Sequence, residues 1–94
     1  MDIDHYLHHY RNFHSRYFPE ASTMDKLQKL REEIRELDVA YYGGNRLEII
    51  DEAKDVMNTA IAYLVAEGVL DPLHAGYEKL CKTALKYEEA AVHG

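Results

Sequence analysis

The stretch REEIRELDVAYYGGNRLEIIDEAKDVMN, residues 31–58, decides how the chain is read. Each flank carries apolar residues at helical spacing, and the pair Gly43-Gly44 separates them. Paired glycines favour conformations that other residues avoid, so one helix stops there and another begins. Both flanks also set acids where they repel one another. Glu32 and Glu36 are four residues apart, as are Glu48 and Glu52, and Asp51 and Asp55. On a helix each such pair costs about 0.2–0.5 kcal/mol.

Outward from this hairpin, two more helices complete the chain. Upstream, Ser22-Thr23-Met24-Asp25 has the form of a capping box with Asp in place of Glu. The helix it opens sets Leu27, Leu30, Ile34, Leu37 and Tyr41 on one stripe. Asn45 is a cap signal for the next helix, which runs to about Glu67 with Gly68 as its stop. Asp71-Pro72 then reads as a cap followed by proline at the first helical position. That last helix carries Leu73, Tyr77, Leu80, Cys81 and Ala84 inward. At the other end, Ile3, Tyr6, Leu7, Tyr10, Phe13 and Tyr17 give a first helix, over about residues 4–17, an apolar stripe. Asp2 or Asp4 is its candidate cap, and Phe18-Pro19 ends it. The reading is a single all-α domain over residues 1–94, with short loops that favour antiparallel neighbours in a four-helix bundle-like arrangement.

The totals set bounds on function. Ninety-four residues at 47% apolar content build a thin core, which makes self-association a way to bury more surface. Eleven Lys and Arg against seventeen Asp and Glu leave a net charge of -6. That balance argues against a reader of nucleic-acid backbones, which needs basic surface. The lone Cys81 excludes an internal disulfide and a Cys-rich zinc site, and points to a reducing cytoplasm. No segment reaches the ~18 apolar residues of a membrane span. The N-terminal MDIDHYLHHYRNFH has the wrong pattern for a signal peptide.

The acids point to two chemistries. Residues three apart on a helix lie about 60° apart around its axis. Glu33 and Glu36 can therefore point together, as can Glu52 and Asp55. If their helices pack antiparallel across Gly43-Gly44, four carboxylates converge. Hard, small cations such as Mg²⁺ or Mn²⁺ are held by such oxygen ligands, completed by phosphate and water. The other reading is a solvated face, in which Lys29 pairs with Glu33, Glu32 with Arg35 and Asp51 with Lys54. Periodicity leaves both open.

The order of the acids is more telling than their number. Glu32-Glu33-x-x-Glu36, fifteen intervening residues, then Glu52-x-x-Asp55, resembles the double motif of the MazG-like, all-α nucleoside triphosphate pyrophosphohydrolases. That superfamily includes dimeric dUTPases and phosphoribosyl-ATP pyrophosphohydrolases. Ile34, Leu37, Val56 and Met57 fit the same pattern, and the resemblance covers roughly residues 13–87. It implies hydrolysis between the α and β phosphates of a (deoxy)nucleoside triphosphate, with clearance of non-canonical or excess nucleotides as the role. Glu33, Glu36, Glu52 and Asp55 match the family's Mg²⁺ ligands, and Mn²⁺ substitutes for Mg²⁺. Glu32 matches the residue that orients or deprotonates the attacking water. The resemblance also implies an obligate homodimer or homotetramer, with pockets completed by a neighbouring subunit.

The same resemblance extends to substrate contacts. Lys79, Lys82 and Lys86, at spacings of three and four on the last helix, stand where the family places basic residues toward phosphate. Lys54 sits beside the motif acids and is a further candidate. Asn58 matches a position that contacts sugar or base. On the first helix, His8, Phe13 and Tyr17 are the candidates for stacking a base. His5 and His9 have zinc spacing but lack a third ligand nearby. A phosphoribosyl-ATP pyrophosphohydrolase is expected to carry histidine where this chain has Thr59, which points away from that branch. The rival reading is a non-catalytic helical interaction module, regulatory or antitoxin-like, whose acid face binds a basic protein.

Overall fold

Four helices follow one another in a computed structural model that describes residues 3–17 and 22–93. They are α1 (Ile3–Tyr17), α2 (Thr23–Gly43), α3 (Arg46–Ala66) and α4 (Pro72–His93). The side chains at positions 3, 10, 14, 15, 17 and 93 lie outside the described residues, as do Asp2 and the Phe18-Pro19 stop. The described chain is all-α, and none of its helices is long and apolar enough to cross a membrane.

Local chemistry sets the helix ends. Ser22 Oγ accepts from the Asp25 amide at 3.1 Å, and the Asp25 carboxylate accepts from the Ser22 amide at 3.0 Å. These reciprocal bonds satisfy donors that the first turn of α2 would otherwise leave bare. Gly44 closes α2 at φ 79°, and its amide reaches the Ala40 and Tyr41 carbonyls. Asn45 Oδ1 then accepts from the amides of Leu47 and Glu48, at 3.0 and 3.2 Å, to open α3. A two-residue link thus reverses the chain direction. Asp71 Oδ1 accepts from the His74 amide at 3.1 Å, so α4 starts with its cap and with Pro72 buried at the first position. Asp4 lies within the first turn of α1, inside the helix and not at its cap.

The α2–α3 pair is the body of the fold, with α1 laid against it. Leu7 of α1 is buried, as are Ile61 and Ala62 of α3. The Arg11 guanidinium donates to the Leu70 carbonyl and ties α1 to the loop before α4. Beyond its first turn α4 departs from the expected bundle. Tyr77, Leu80, Cys81 and Ala84, expected to face inward, are exposed. The Cα radius of gyration is 16.1 Å, against about 12 Å for a compact domain of this length. Close backbone approach is extensive between α2 and α3 and slight between α3 and α4.

Candidate active site

Carboxylates from α2 and α3 meet across the seam between the two helices. Glu33 is the one buried charged residue among those described, at 6% exposure. Glu33, Glu36 and Glu52 each bring a carboxylate oxygen within 4.8 Å of the others. Glu33 Oε2 and Glu52 Oε2 are both buried without a hydrogen-bond partner. Partial burial, reinforced by the charges of Glu36, Asp55 and Glu33, holds the Glu52 carboxyl above its ordinary value. Asp55 stands outside the three-residue group, exposed, one turn further along α3.

One cation already touches this cluster. Lys29 Nζ is 3.0 Å from Glu33 Oε1 and 3.6 Å from Glu32 Oε2. Its hydrogen bond to Glu33, with the surrounding acids, raises the ammonium above its ordinary value. Of the three pairings open to a solvated acid face, this one forms; among the described residues neither Glu32–Arg35 nor Asp51–Lys54 does.

Beside the acids lies a cavity of about 770 Å³, between α1 and the α2–α3 pair. Glu32, Glu33 and Asp55 line it, with Lys29 beside Glu32 and Glu33. Tyr6, His9 and Phe13 of α1 line it as well, with Asn58 and Thr59 of α3. The Tyr6 hydroxyl donates to Asn58 Oδ1, and burial raises that hydroxyl above its ordinary value. With Oδ1 so engaged, the Asn58 amide NH₂ is the donor left for the cavity. Lys26 also lines this space, and burial depresses its ammonium despite the Asp25 charge. Glu36 and Glu52 line a neighbouring recess with Glu32, Arg35 and Glu48.

The remaining expected contacts fall elsewhere. Lys79, Lys82 and Lys86 are exposed on α4, and neither they nor Lys54 line the cavity. His8 is exposed and bonds Asn12 at 3.2 Å, while His9 lines the cavity. The Tyr17 side chain lies outside the described residues. Tyr6, His9, Lys26 and Lys29 are among the cavity residues that the sequence did not single out as substrate contacts. Spacing carried part of that signal. Residues 6, 9 and 13 repeat every three to four positions and share a helix face, whereas position 8 is about 140° from position 13.

The donor set fits a hard divalent cation. All three clustered groups are carboxylates, two of their oxygens lack partners, and ionised acids this close require a counter-charge.

Residues 6–83 match the family model of phosphoribosyl-ATP pyrophosphohydrolase. No curated protein and no solved structure matches the chain. The match takes in the whole α2–α3 acid pair and the α1 wall of the cavity. It runs against the expectation drawn from Thr59, whose hydroxyl is turned back to the Asp55 and Val56 carbonyls at 2.9 and 3.1 Å. The chain belongs to the phosphoribosyl-ATP pyrophosphohydrolase family, within the MazG-like all-α superfamily of pyrophosphohydrolases acting on nucleotide-like substrates.

Proposed function

We propose that this protein is a cytoplasmic, Mg²⁺-dependent hydrolase that cleaves the α–β phosphoanhydride of (deoxy)nucleoside triphosphates, clearing unwanted nucleotides from the pool. The observation that carries this reading is the pair of buried, unpartnered oxygens on Glu33 and Glu52 within a three-carboxylate group. Glu33, Glu36 and Glu52 would hold the cation, with Asp55 joining from one turn along α3. A cation bound there offsets phosphate charge and makes nearby water more acidic.

The remaining chemistry belongs to the chain. Glu32, an exposed residue of the cavity lining, orients the attacking water and takes its proton. The new bond joins the water oxygen to the α phosphorus, and the bond to the bridging oxygen breaks. Monophosphate and pyrophosphate leave. Phe13 and His9 flank the space where a base can stack, and Asn58 presents its NH₂ to sugar or base. Apolar groups left exposed on α4, among them Leu80 and Leu85, are buried when copies of the chain associate as a homodimer or homotetramer.

A second reading of the substrate, phosphoribosyl-ATP, is favoured by the family match over residues 6–83. Its scissile bond is the same, so the two readings differ only in what the cavity holds. The test is product analysis with Mg²⁺ over a panel of NTPs, dNTPs, modified nucleotides and phosphoribosyl-ATP. Turnover of one or more triphosphates above phosphoribosyl-ATP supports the first reading. Turnover of phosphoribosyl-ATP alone replaces it with the second, and no pyrophosphate from any substrate sinks both.

A further inference from the structure

Lys29 lies where the proposed chemistry needs a positive charge that neither the motif acids nor the α4 lysines provide. Its ammonium bridges Glu32 and Glu33 at 3.6 and 3.0 Å, yet its side chain is 56% exposed. It is therefore tethered at one edge of the acid group and open to the cavity on the other side. Glu33 is more than nine-tenths buried, with Oε1 taken by Lys29 and Oε2 bare. Thus Glu33 is at once the partner of Lys29, through Oε1, and a member of the group with Glu36 and Glu52, with Oε2 still unpartnered.

We infer that Lys29 is a substrate-binding residue that serves two states of the site. In the metal-free state its ammonium offsets part of the acid repulsion across Glu32 and Glu33. With a divalent cation on Glu33, Glu36 and Glu52, that role is redundant, and like charges favour turning the ammonium into the cavity. A polyphosphate is the occupant whose charge suits it there. Lysine fits this double role because its ammonium is a compact charge on a flexible stem that can re-aim without losing its donors. The inference rests on the metal-dependent reading above and adds to it a phosphate contact from α2.

The two roles give opposite signs, which a purely structural lysine would not. Removing the charge takes away a cation that repels the metal, so Mn²⁺ alone binds more tightly to Lys29→Met, on the order of tenfold for charges a few ångströms apart in a solvated setting. Inorganic triphosphate, supplied as its Mn²⁺ complex, binds more weakly by a similar factor. Calorimetric titration of the full chain with each probe reads both effects, and Lys29→Arg, which keeps the charge, stays closer to wild type than Lys29→Met in both. Lys29→Gln, which keeps a polar head, repeats the measurement should the methionine variant fold poorly. Mn²⁺ affinity that is unchanged or lower in the neutral variants, or triphosphate affinity that is unchanged, overturns the assignment while leaving the metal site standing. Failure of the wild-type chain to bind Mn²⁺ removes the metal site and this assignment with it.

Discussion

Glu33 on α2 and Glu52 on α3 each bury one carboxylate oxygen that has no hydrogen-bond partner, within a group whose ligand atoms lie 4.8 Å apart or less. Such a pairing is unfavourable for the chain alone and favourable around a cation. The Glu52→Gln variant should therefore be more stable than wild type without metal and should lose most of the stabilisation that Mn²⁺ confers. Binding at a hundredfold excess over Kd adds about 2.7 kcal/mol to wild type. Thermal melts with and without Mn²⁺ check it; equal gains in the two proteins would remove Glu52 from the site.

Asn58 owes its orientation to Tyr6, whose hydroxyl donates to Oδ1. Tyr6→Phe frees the amide to rotate and costs about 1 kcal/mol of substrate binding, or roughly fivefold in KM, with kcat little changed. Steady-state kinetics read the split. A fall in kcat at constant KM would place the hydroxyl in the chemistry and not in positioning.

The hairpin turn is a stability element. Gly44 holds φ 79° with no atom within 4 Å of an added Cβ, so Gly44→Ala strains the backbone without a clash. The expected loss is about 1 kcal/mol. Asn45→Ala, which removes the acceptor for the Leu47 and Glu48 amides, costs a further ~1 kcal/mol. Urea unfolding midpoints measure both, and a neutral Asn45→Ala would show that water replaces the cap.

Acid sensitivity should be traceable to Asp25. The Ser22 amide and hydroxyl hold its carboxyl below the ordinary value of 3.8. A depressed folded-state value means stability that is present above the unfolded value and lost as pH falls through the folded one. Wild type should therefore lose stability below about pH 3.8 more steeply than Asp25→Asn, which keeps an acceptor but does not titrate. Parallel losses in the two proteins would assign the acid sensitivity elsewhere.

The sequence made the helix ends legible because their signals are local. Ser22–Asp25, Gly43-Gly44 with Asn45, and Asp71-Pro72 all act within a few residues of themselves. The acid group was legible because a three-residue spacing on each of two helices, joined by a short turn, leaves few ways to arrange them. What spacing could not supply was the destination of α4. Its stripe of Tyr77, Leu80 and Ala84 is apolar, but amphipathicity specifies only that a face be covered, not by which surface. The same limit explains Lys29. As a helical neighbour of Glu33 it reads as an ordinary i,i+4 partner, and only the burial of Glu33 makes that contact unusual.

In the proposed mechanism Glu33, Glu36 and Glu52 hold a cation on which cleavage depends. The most direct measurement is pyrophosphate release from the panel of triphosphates and phosphoribosyl-ATP, comparing wild type with Glu36→Gln in Mg²⁺ and in EDTA. The expected result is release by wild type in Mg²⁺, none in EDTA, and a loss on the order of a hundredfold or more in Glu36→Gln. Release that persists in EDTA, or that Glu36→Gln leaves intact, would contradict the account.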